Sequence, residues 1–251
     1  MTKKVWITGA SSGIGKALAL KFANEGWQVA ASARRTNLLE ELNKNNQNIH
    51  SFPLDVVNLE NSKKIFEKII EKLGEINLCI FSSGTYDPKT EREINVEQIQ
   101  KVFNVNFFGT LNYIKSVEDY FKKKRSGHIA VVSSLVGYRG LPNSTGYAPS
   151  KAALNNLTES LYFDFKRYDV KVSLITPGFI KTPLTEKNTF KLPFLKSSEF
   201  AAEKIYNGLI KKNSFEISFP IQIKIIMKIL KILPNKIYLY LIKKLTKLQK
   251  R

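Results

Sequence analysis

A chain of 251 residues with 43% apolar residues is long enough to bury the core of one large α/β domain. Its formal net charge of +19 raises nucleic acid or an anionic membrane as partners, but residues 221–251 hold nine Lys or Arg and no acid, so almost half of the excess lies in the last eighth of the chain. A single cysteine, Cys79, set in an apolar run, excludes a disulfide framework and a thiolate metal site.

The opening MTKKVWITGA enters a strand at once, which leaves no room for a signal peptide and points to a cytoplasmic chain. Apolar runs then alternate with helix-period segments. Strands are expected at Val5–Thr8, Gln28–Ala33, Ile49–Leu54, Leu78–Ser82, His128–Ser133, Lys171–Ile175 and Phe215–Phe219, with helices including Leu59–Leu73, Val96–Lys123 and Ala152–Tyr168. Right-handed crossovers between these strands give an α/β, Rossmann-type doubly wound, mostly parallel seven-stranded sheet with helices on both faces, in the order 3-2-1-4-5-6-7. Ligands of such a sheet belong at the carboxyl ends of its strands.

The first strand runs directly into TGASSGIG, Thr8 to Gly15. Gly9 allows the tight turn, Gly13 lets backbone approach a pyrophosphate and Gly15 permits close packing of the next helix, with Ser11, Ser12 and Ile14 completing the turn. The helix N-terminus adds free N–H groups and a positive dipole for phosphates. After the second strand, Ser32-Ala33-Arg34-Arg35 has no acid where a carboxylate would grip the ribose 2′-hydroxyl of NAD. A guanidinium there holds a 2′-phosphate bidentately, so NADP(H) is the expected cofactor, with Arg34 as main ligand and Arg35 as helper.

Far downstream, Tyr147 and Lys151 stand four apart at the start of a helical segment and share a face. An ammonium beside a phenol is expected to pull its pKa down from about 10 toward neutrality, which makes Tyr147 a proton donor or acceptor. Pro149 between them fits only in or near a first helical turn. His50 and His128 begin strands, at the end of the sheet away from these motifs, and no metal or triad role is expected of them.

The Gly-x-x-x-Gly-x-Gly spacing together with Tyr147-x-x-x-Lys151 resembles the short-chain dehydrogenase/reductase family, over roughly residues 1–220. The resemblance implies that Lys151 also holds the nicotinamide ribose, that Ser134 is the catalytic hydroxyl with Ser133 as the alternative, and that Asn106 completes the set by positioning a water on Lys151. It further implies adenine contacts from Asp55 and Val56. Pro177, Gly178 and Thr182 match a segment that closes over the nicotinamide, followed by a lid at Pro183–Lys196 with Phe190, Leu192, Phe194 and Leu195 as apolar contacts. Where the family commonly has Asn-Asn-Ala-Gly, this chain has Phe81-Ser82-Ser83-Gly84; Gly84 is kept, and Ser82 stands in for part of the missing amide bonding. Leu135, Val136, Tyr138, Leu141 and Pro142 are expected to add an apolar wall beside the serine. Lysines 181, 187, 191 and 196 read as solvated lid residues that could also attract an anionic head group. Relatives pair as homodimers or homotetramers through the long helices that hold Asn106 and Tyr147.

From Phe219 onward the pattern fades, leaving residues 1–220 as the catalytic domain and 221–251 as a basic amphipathic extension. On a helical wheel Lys224, Lys228 and Lys231 share one narrow side, and isoleucines and leucines occupy most of the rest. Pro234 breaks the segment, and a second helix follows with Lys236, Lys243, Lys247 and Lys250 opposite Ile237, Leu241, Leu245 and Leu248. Two fates are open for this hairpin: lying on an anionic membrane, or packing on the body or a second subunit. Few aromatics interleave the lysines, which weakens nucleic acid as partner.

The expected activity is NADP(H)-dependent interconversion of a small carbonyl compound and its alcohol, the substrate being lipophilic. The alternatives are a 3-oxoacyl carrier-protein reductase and a non-catalytic NADP(H)-binding sensor or scaffold.

Overall fold

The computed structural model describes residues 2–188 and 192–246. The apolar runs form β1 (Lys4–Thr8), β2 (Gln28–Ser32), β3 (Ile49–Ser51), β4 (Leu78–Phe81), β5 (Gly127–Val132), β6 (Val170–Pro177) and β7 (Glu216–Phe219). They lie in the order β3-β2-β1-β4-β5-β6-β7 and every neighbouring pair is parallel. Helices α1 (Gly13–Asn24), α2 (Thr36–Asn45), α3 (Leu59–Leu73), α4 (Val96–Phe103), α5 (Gly109–Lys124), α6 (Tyr147–Lys166) and α7 (Ser198–Tyr206) cross between strands, and α8 (Ile221–Ile232) and α9 (Asn235–Leu245) follow the last one.

Side chains of a strand alternate between faces, and here the alternation feeds two cores. Val5 and Ile7 of β1 pack with α1, α2 and α7, through Leu18, Leu39 and Ile205. Trp6 points the other way and joins α3, α5 and α6 through Phe66, Val117 and Leu154. Its indole N–H, which could not be buried unpaired, donates to Ser32 Oγ at 2.9 Å. Cys79 is buried in this second core, where desolvation pushes its thiol pKa up.

Element boundaries depart most from expectation in three places. β3 ends at Ser51 rather than Leu54 because Pro53 has no N–H to give, although Phe52 N and Leu54 N still donate to Ala31 O on β2 and to Ala33 O just after it. The helix expected over Val96–Lys123 is divided: a π-helical turn at Asn104–Phe108 separates α4 from α5. Helix α6 starts at Tyr147, five residues before the expected Ala152, and Pro149 falls in its first turn, where a missing N–H costs nothing.

The tail is seated on the body. Ile223, Met227 and Leu230 of α8 with Tyr238 and Ile242 of α9 bury against Leu135, and Tyr138 and Leu141 pack on the same cluster. Arg139 supplies the clasp: its Nη1 donates to the carbonyls of Leu230, Lys231 and Leu233 at 3.2, 2.8 and 3.1 Å, and its Nη2 to Asn235 Oδ1. Those carbonyls end α8 without intrahelical partners, so the guanidinium both satisfies them and complements the negative helix terminus. The same group lies 4.2 Å from the centre of the Tyr238 ring, whose hydroxyl donates to Gly140 O. In the second tail helix the inward residues are thus Tyr238 and Ile242, while Ile237 and Leu245 are exposed. Lys247, Leu248 and Lys250 lie outside the described residues, as do Phe190 and Lys191.

Candidate active site

The carboxyl ends of β1, β4, β5 and β6 open into a cleft of about 710 Å³, walled by the turn after β1, Arg34 and Arg35, the Ser82–Gly84 segment, Ser133, Ser134, Tyr147, Lys151, and the stretch from Pro177 to Lys187. Of the residues expected to hold a cofactor, Gly9, Ser11, Ser12, Gly13, Ile14, Gly15, Arg34, Arg35, Val56, Gly84, Tyr147, Lys151, Pro177, Gly178 and Thr182 all line it. Gly15 sits so close to the turn that an added Cβ would lie 2.2 Å from Gly9 O, and Gly13, at φ +55°, would place one 2.9 Å from Thr182 Cγ2. At Gly15 the turn is therefore shaped by backbone contact that any side chain would break.

A dinucleotide fits this surface on two counts. Ser12 precedes α1 without capping it through its side chain, so the first N–H groups of the helix are left for an external acceptor. Across from them Arg35 donates from Nε and Nη2 to Ser11 Oγ at 3.1 and 2.8 Å and from Nη2 to Ser12 Oγ at 2.6 Å, while Arg34 stays exposed on the wall. Arg35 is thus tied into the phosphate turn, with Arg34 beside it on the wall. Asp55 is not part of the lining; its exposed carboxylate accepts from Val57 N at 3.4 Å in a local turn. Ser82 N donates to Thr8 Oγ1 at 3.1 Å, which ties the end of β4 to the start of the turn.

Four expected catalytic residues converge from three elements. Ser134 follows β5 and donates to Pro177 O at 3.3 Å, with a hydrogen bond to Tyr147 as well. Ser133 turns inward and donates to Lys151 O at 3.0 Å, which leaves Ser134 as the hydroxyl beside the tyrosine. Lys151, one turn along α6 from Tyr147, is buried and donates from Nζ to Val132 O at 3.1 Å, its Nζ 5.7 Å from the centre of the Tyr147 ring. Asn106 is fully buried in the π-helical turn. Its Oδ1 accepts from Thr85 N at 2.7 Å, and its Nδ2 donates to Thr85 O and Ser150 Oγ at 3.1 and 3.0 Å. It forms the back of the site, beside Gly84, and does not line the open cleft.

The electrostatics differ from the expectation that Lys151 draws the phenol toward neutrality. Burial pushes Tyr147 up to about 12, opposed by its hydrogen bond with Ser134, and the nearby charge of Glu91 also raises it. Burial likewise lowers Lys151 to about 8. The reason is geometric: the ammonium is aimed at a carbonyl of β5 and is itself penalised by desolvation, so in this chain alone it is a weak stabiliser of a phenolate.

Three site residues escaped the sequence reading. Glu91 is buried, and its carboxylate accepts from Gly146 N at 2.7 Å and from Tyr147 N at 3.0 and 3.1 Å, which caps the helix that carries the tyrosine. Tyr86 places its ring 5.0 Å from that of Tyr147 and donates to Asn188 Oδ1 at 3.1 Å. Arg139, the clasp of the tail, sits five residues beyond Ser134. Nothing in the charged run Thr90-Glu91-Arg92-Glu93 marks Glu91 as inward facing.

The apolar surfaces are also redistributed. Leu135, Tyr138 and Leu141, expected to wall the substrate, are the seat of the tail instead, because α8 and α9 need a partner for their inward faces. Val136 and Pro142 do not line the cleft either. In the lid, Phe194 and Leu195 are exposed and the cleft is covered by Pro183, Leu184 and Thr185. Lys187 donates to Tyr86 O at 3.3 Å, and the lid closes on itself through Lys181 N to Lys196 O at 2.7 Å. The histidines stand apart from all of this, His50 against Gln28 at 2.7 Å and His128 against Ser173 at 2.8 Å.

The family profile for short chain dehydrogenases matches residues 3–192. The chain belongs to that family. This short-chain dehydrogenase is 31% identical over 236 residues to an uncharacterized oxidoreductase of Myxococcus xanthus, with 92% of this chain and 93% of that one covered. It is 36% identical over 185 residues to the 3-oxoacyl-[acyl-carrier-protein] reductase FabG of Thermotoga maritima, covering 72% and 75% of the two chains. Among solved structures, ElxO with NADP bound superposes with a TM-score of 0.77 at 27% identity, over 87% of this chain and 98% of that one. This dehydrogenase is thus an oxidoreductase that uses a nicotinamide cofactor on a small-molecule substrate.

Proposed function

We propose that this dehydrogenase is an NADP(H)-dependent carbonyl reductase that converts a lipophilic ketone or aldehyde to its alcohol. The observation that carries the reading is the meeting of Ser134 and Tyr147 at the mouth of a cleft whose far end holds Arg34 and Arg35 and no acid. Ser11 and Ser12, already bonded to Arg35, would share a 2′-phosphate with the two guanidinium groups. When bound, the nicotinamide supplies the hydride that adds to the carbonyl carbon. Ser134 donates to the carbonyl oxygen as negative charge develops there, and Tyr147, whose high pKa keeps it protonated, delivers the proton to that same oxygen. Lys151 holds the ribose and, in its ammonium form, favours proton loss from Tyr147. Asn106 fixes Thr85 and Gly84 behind it. Asp55 and Val56 remain adenine contacts in this reading, Val56 within the lining and Asp55 the residue before it in the chain.

The wider reading is a cytoplasmic homodimer or homotetramer assembled through the helices around Asn106 and Tyr147, where Phe108 and Phe163 are exposed. In it residues 1–220 act as the catalytic domain, and 221–251 form an extension in peripheral contact with a membrane. A second reading, reduction of a 3-oxoacyl chain on an acidic carrier protein, is favoured by the likeness to a carrier-linked reductase and by the basic surface.

The test is oxidation of NADPH, and separately of NADH, against ketones and aldehydes of graded chain length and a carrier-linked 3-oxoacyl substrate. Turnover with NADPH that rises with chain length supports the first reading. Turnover on the carrier-linked substrate alone moves the assignment to the second, and a preference for NADH removes the role given to the arginines.

A further inference from the structure

Helix α8 has two apolar faces and uses only one of them on the body. Ile223, Met227 and Leu230 point inward. On the opposite side Ile221, Ile225, Ile229 and Ile232, spaced at four, four and three residues, remain 58%, 51%, 50% and 80% exposed. A row of four outward isoleucines adds nothing to the fold of this chain, and a monomeric soluble surface rarely presents one. Helix α9 continues the exposed apolar surface of the tail with Leu239, Tyr240 and Leu245.

Charge narrows what can cover that row. Lys224, Lys228 and Lys231 follow one edge of the same helix, and residues 221–251 contain no acid at all. Lys228 is paired with Glu216 on β7 at 2.7 Å and Lys224 stands at 4.0 Å from the same carboxylate. Lys231, Lys236, Lys243 and Lys244 form no ion pair among the described residues. A second copy of this chain, docked through the same patch, would set lysines against the same lysines with no acid of the tail to relieve them. An anionic surface with an apolar interior satisfies both features at once: isoleucines enter the acyl boundary and lysines stay at the head groups. No helix among the described residues is long and apolar enough to cross a membrane, so contact would be in the plane of the surface.

We propose that the outward face of the tail, the row Ile221, Ile225, Ile229 and Ile232 with its bordering lysines, docks on an anionic lipid bilayer. This deepens the membrane contact named above and is independent of the carbonyl chemistry. The tail leaves the carboxyl end of β7, the end of the sheet that carries the cleft, and an added Cβ on cleft residue Gly178 would lie 3.6 Å from Ile223 Cβ. Docking therefore brings the side of the protein that holds the active site to the lipid.

The test uses the full chain and sedimentation with vesicles of phosphatidylcholine alone, or of phosphatidylcholine and phosphatidylglycerol in roughly equal parts. The expected result is binding to the anionic vesicles that falls about tenfold or more in I225S/I229S and also falls in K236Q/K243Q or at high salt. NADPH turnover, or NADPH binding should no substrate be turned over, serves as the check that these surface variants are folded. Equal binding to both vesicle types, no binding to either, or full binding by I225S/I229S overturns the proposal. So does a wild-type dimer in sedimentation velocity that I225S/I229S converts to monomer, which would assign the row to a second copy. Because the readout is sedimentation, failure here leaves the catalytic reading standing, and failure to find a carbonyl substrate leaves this one standing.

Discussion

The turn after β1 and the tail after β7 leave the same end of one sheet, yet they are fixed by different means. The turn is held by main-chain atoms, with Gly15 packed against the carbonyl of Gly9 and no room for a side chain between them. The tail is held by side chains from distant positions, with Arg139 clasping the end of α8 and Leu135 filling the space beneath it. A structure of the first kind tolerates no substitution at a few positions. The second kind spreads its stability over many contacts, and its loss should leave the chemistry in place.

The sharpest way to break this contrast is Gly15→Ala. The added carbon must displace the turn, and a shift of about 1 Å at a cofactor is worth roughly a hundredfold in turnover, so NADPH oxidation should fall by about that factor. Titrated NADPH fluorescence should show weaker binding to match, and an unchanged affinity would mean that the turn is not the phosphate site.

A pH profile comes next. Lys151 acts as an ammonium, and burial has brought its pKa down to about 8, so the charged form is present below that pH and is lost as pH rises through it. With Tyr147 still protonated up to about 12, kcat/KM for reduction should decline on the alkaline side with a limb near pH 8 and a slope of about tenfold per unit. A profile flat to pH 10 would show that Lys151 is not needed as a cation.

Smaller effects are expected where side chains do the holding. Arg139→Ala removes charge-assisted hydrogen bonds to three carbonyls and should cost about 1–3 kcal/mol in urea unfolding. It should also expose the Pro234 region to protease, while NADPH affinity stays within about twofold of wild type. Loss of cofactor binding in this variant would join the two regions that the contrast separates. Glu91→Gln keeps the shape of the α6 cap and removes its charge; about 1 kcal/mol of stability and a several-fold drop in kcat are expected, with KM for NADPH little changed. Unaltered kcat alongside the stability loss would make Glu91 a cap and nothing more.

The same contrast explains how much of the molecule is legible in its sequence. The strands were legible because both faces of the sheet are covered, which writes them as short apolar runs such as Val5-Trp6-Ile7, Leu78–Phe81 and Ile129–Val132. TGASSGIG and Tyr147-x-x-x-Lys151 were legible because backbone geometry and helical spacing fix them locally. The tail was legible only as helical: with isoleucine on nearly every side of α8, its sequence does not say which row faces the body, and the choice is made by Leu135 and Tyr138 some ninety residues away. For the same reason the residues from Leu135 to Leu141 read as a substrate wall when they serve as the seat of α8. Glu91 and Arg139 are single charges in loops, indistinguishable from solvated ones until the helix ends they cap are in place. The π-helical turn at Asn104–Phe108 leaves no trace in the periodicity because its neighbours on both sides are regular helix.

The most direct measurement follows the hydride itself, with NADPH deuterated at either face of the nicotinamide and a long-chain ketone or aldehyde as acceptor. If Ser134, Tyr147 and Lys151 form a carbonyl reductase site, mass spectrometry will find deuterium on the carbinol carbon from one face only, and Tyr147→Phe will bind NADPH normally while the transfer slows by about a hundredfold or more. Label that never reaches the alcohol, or reaches it at an undiminished rate in Tyr147→Phe, would contradict the assignment of this site.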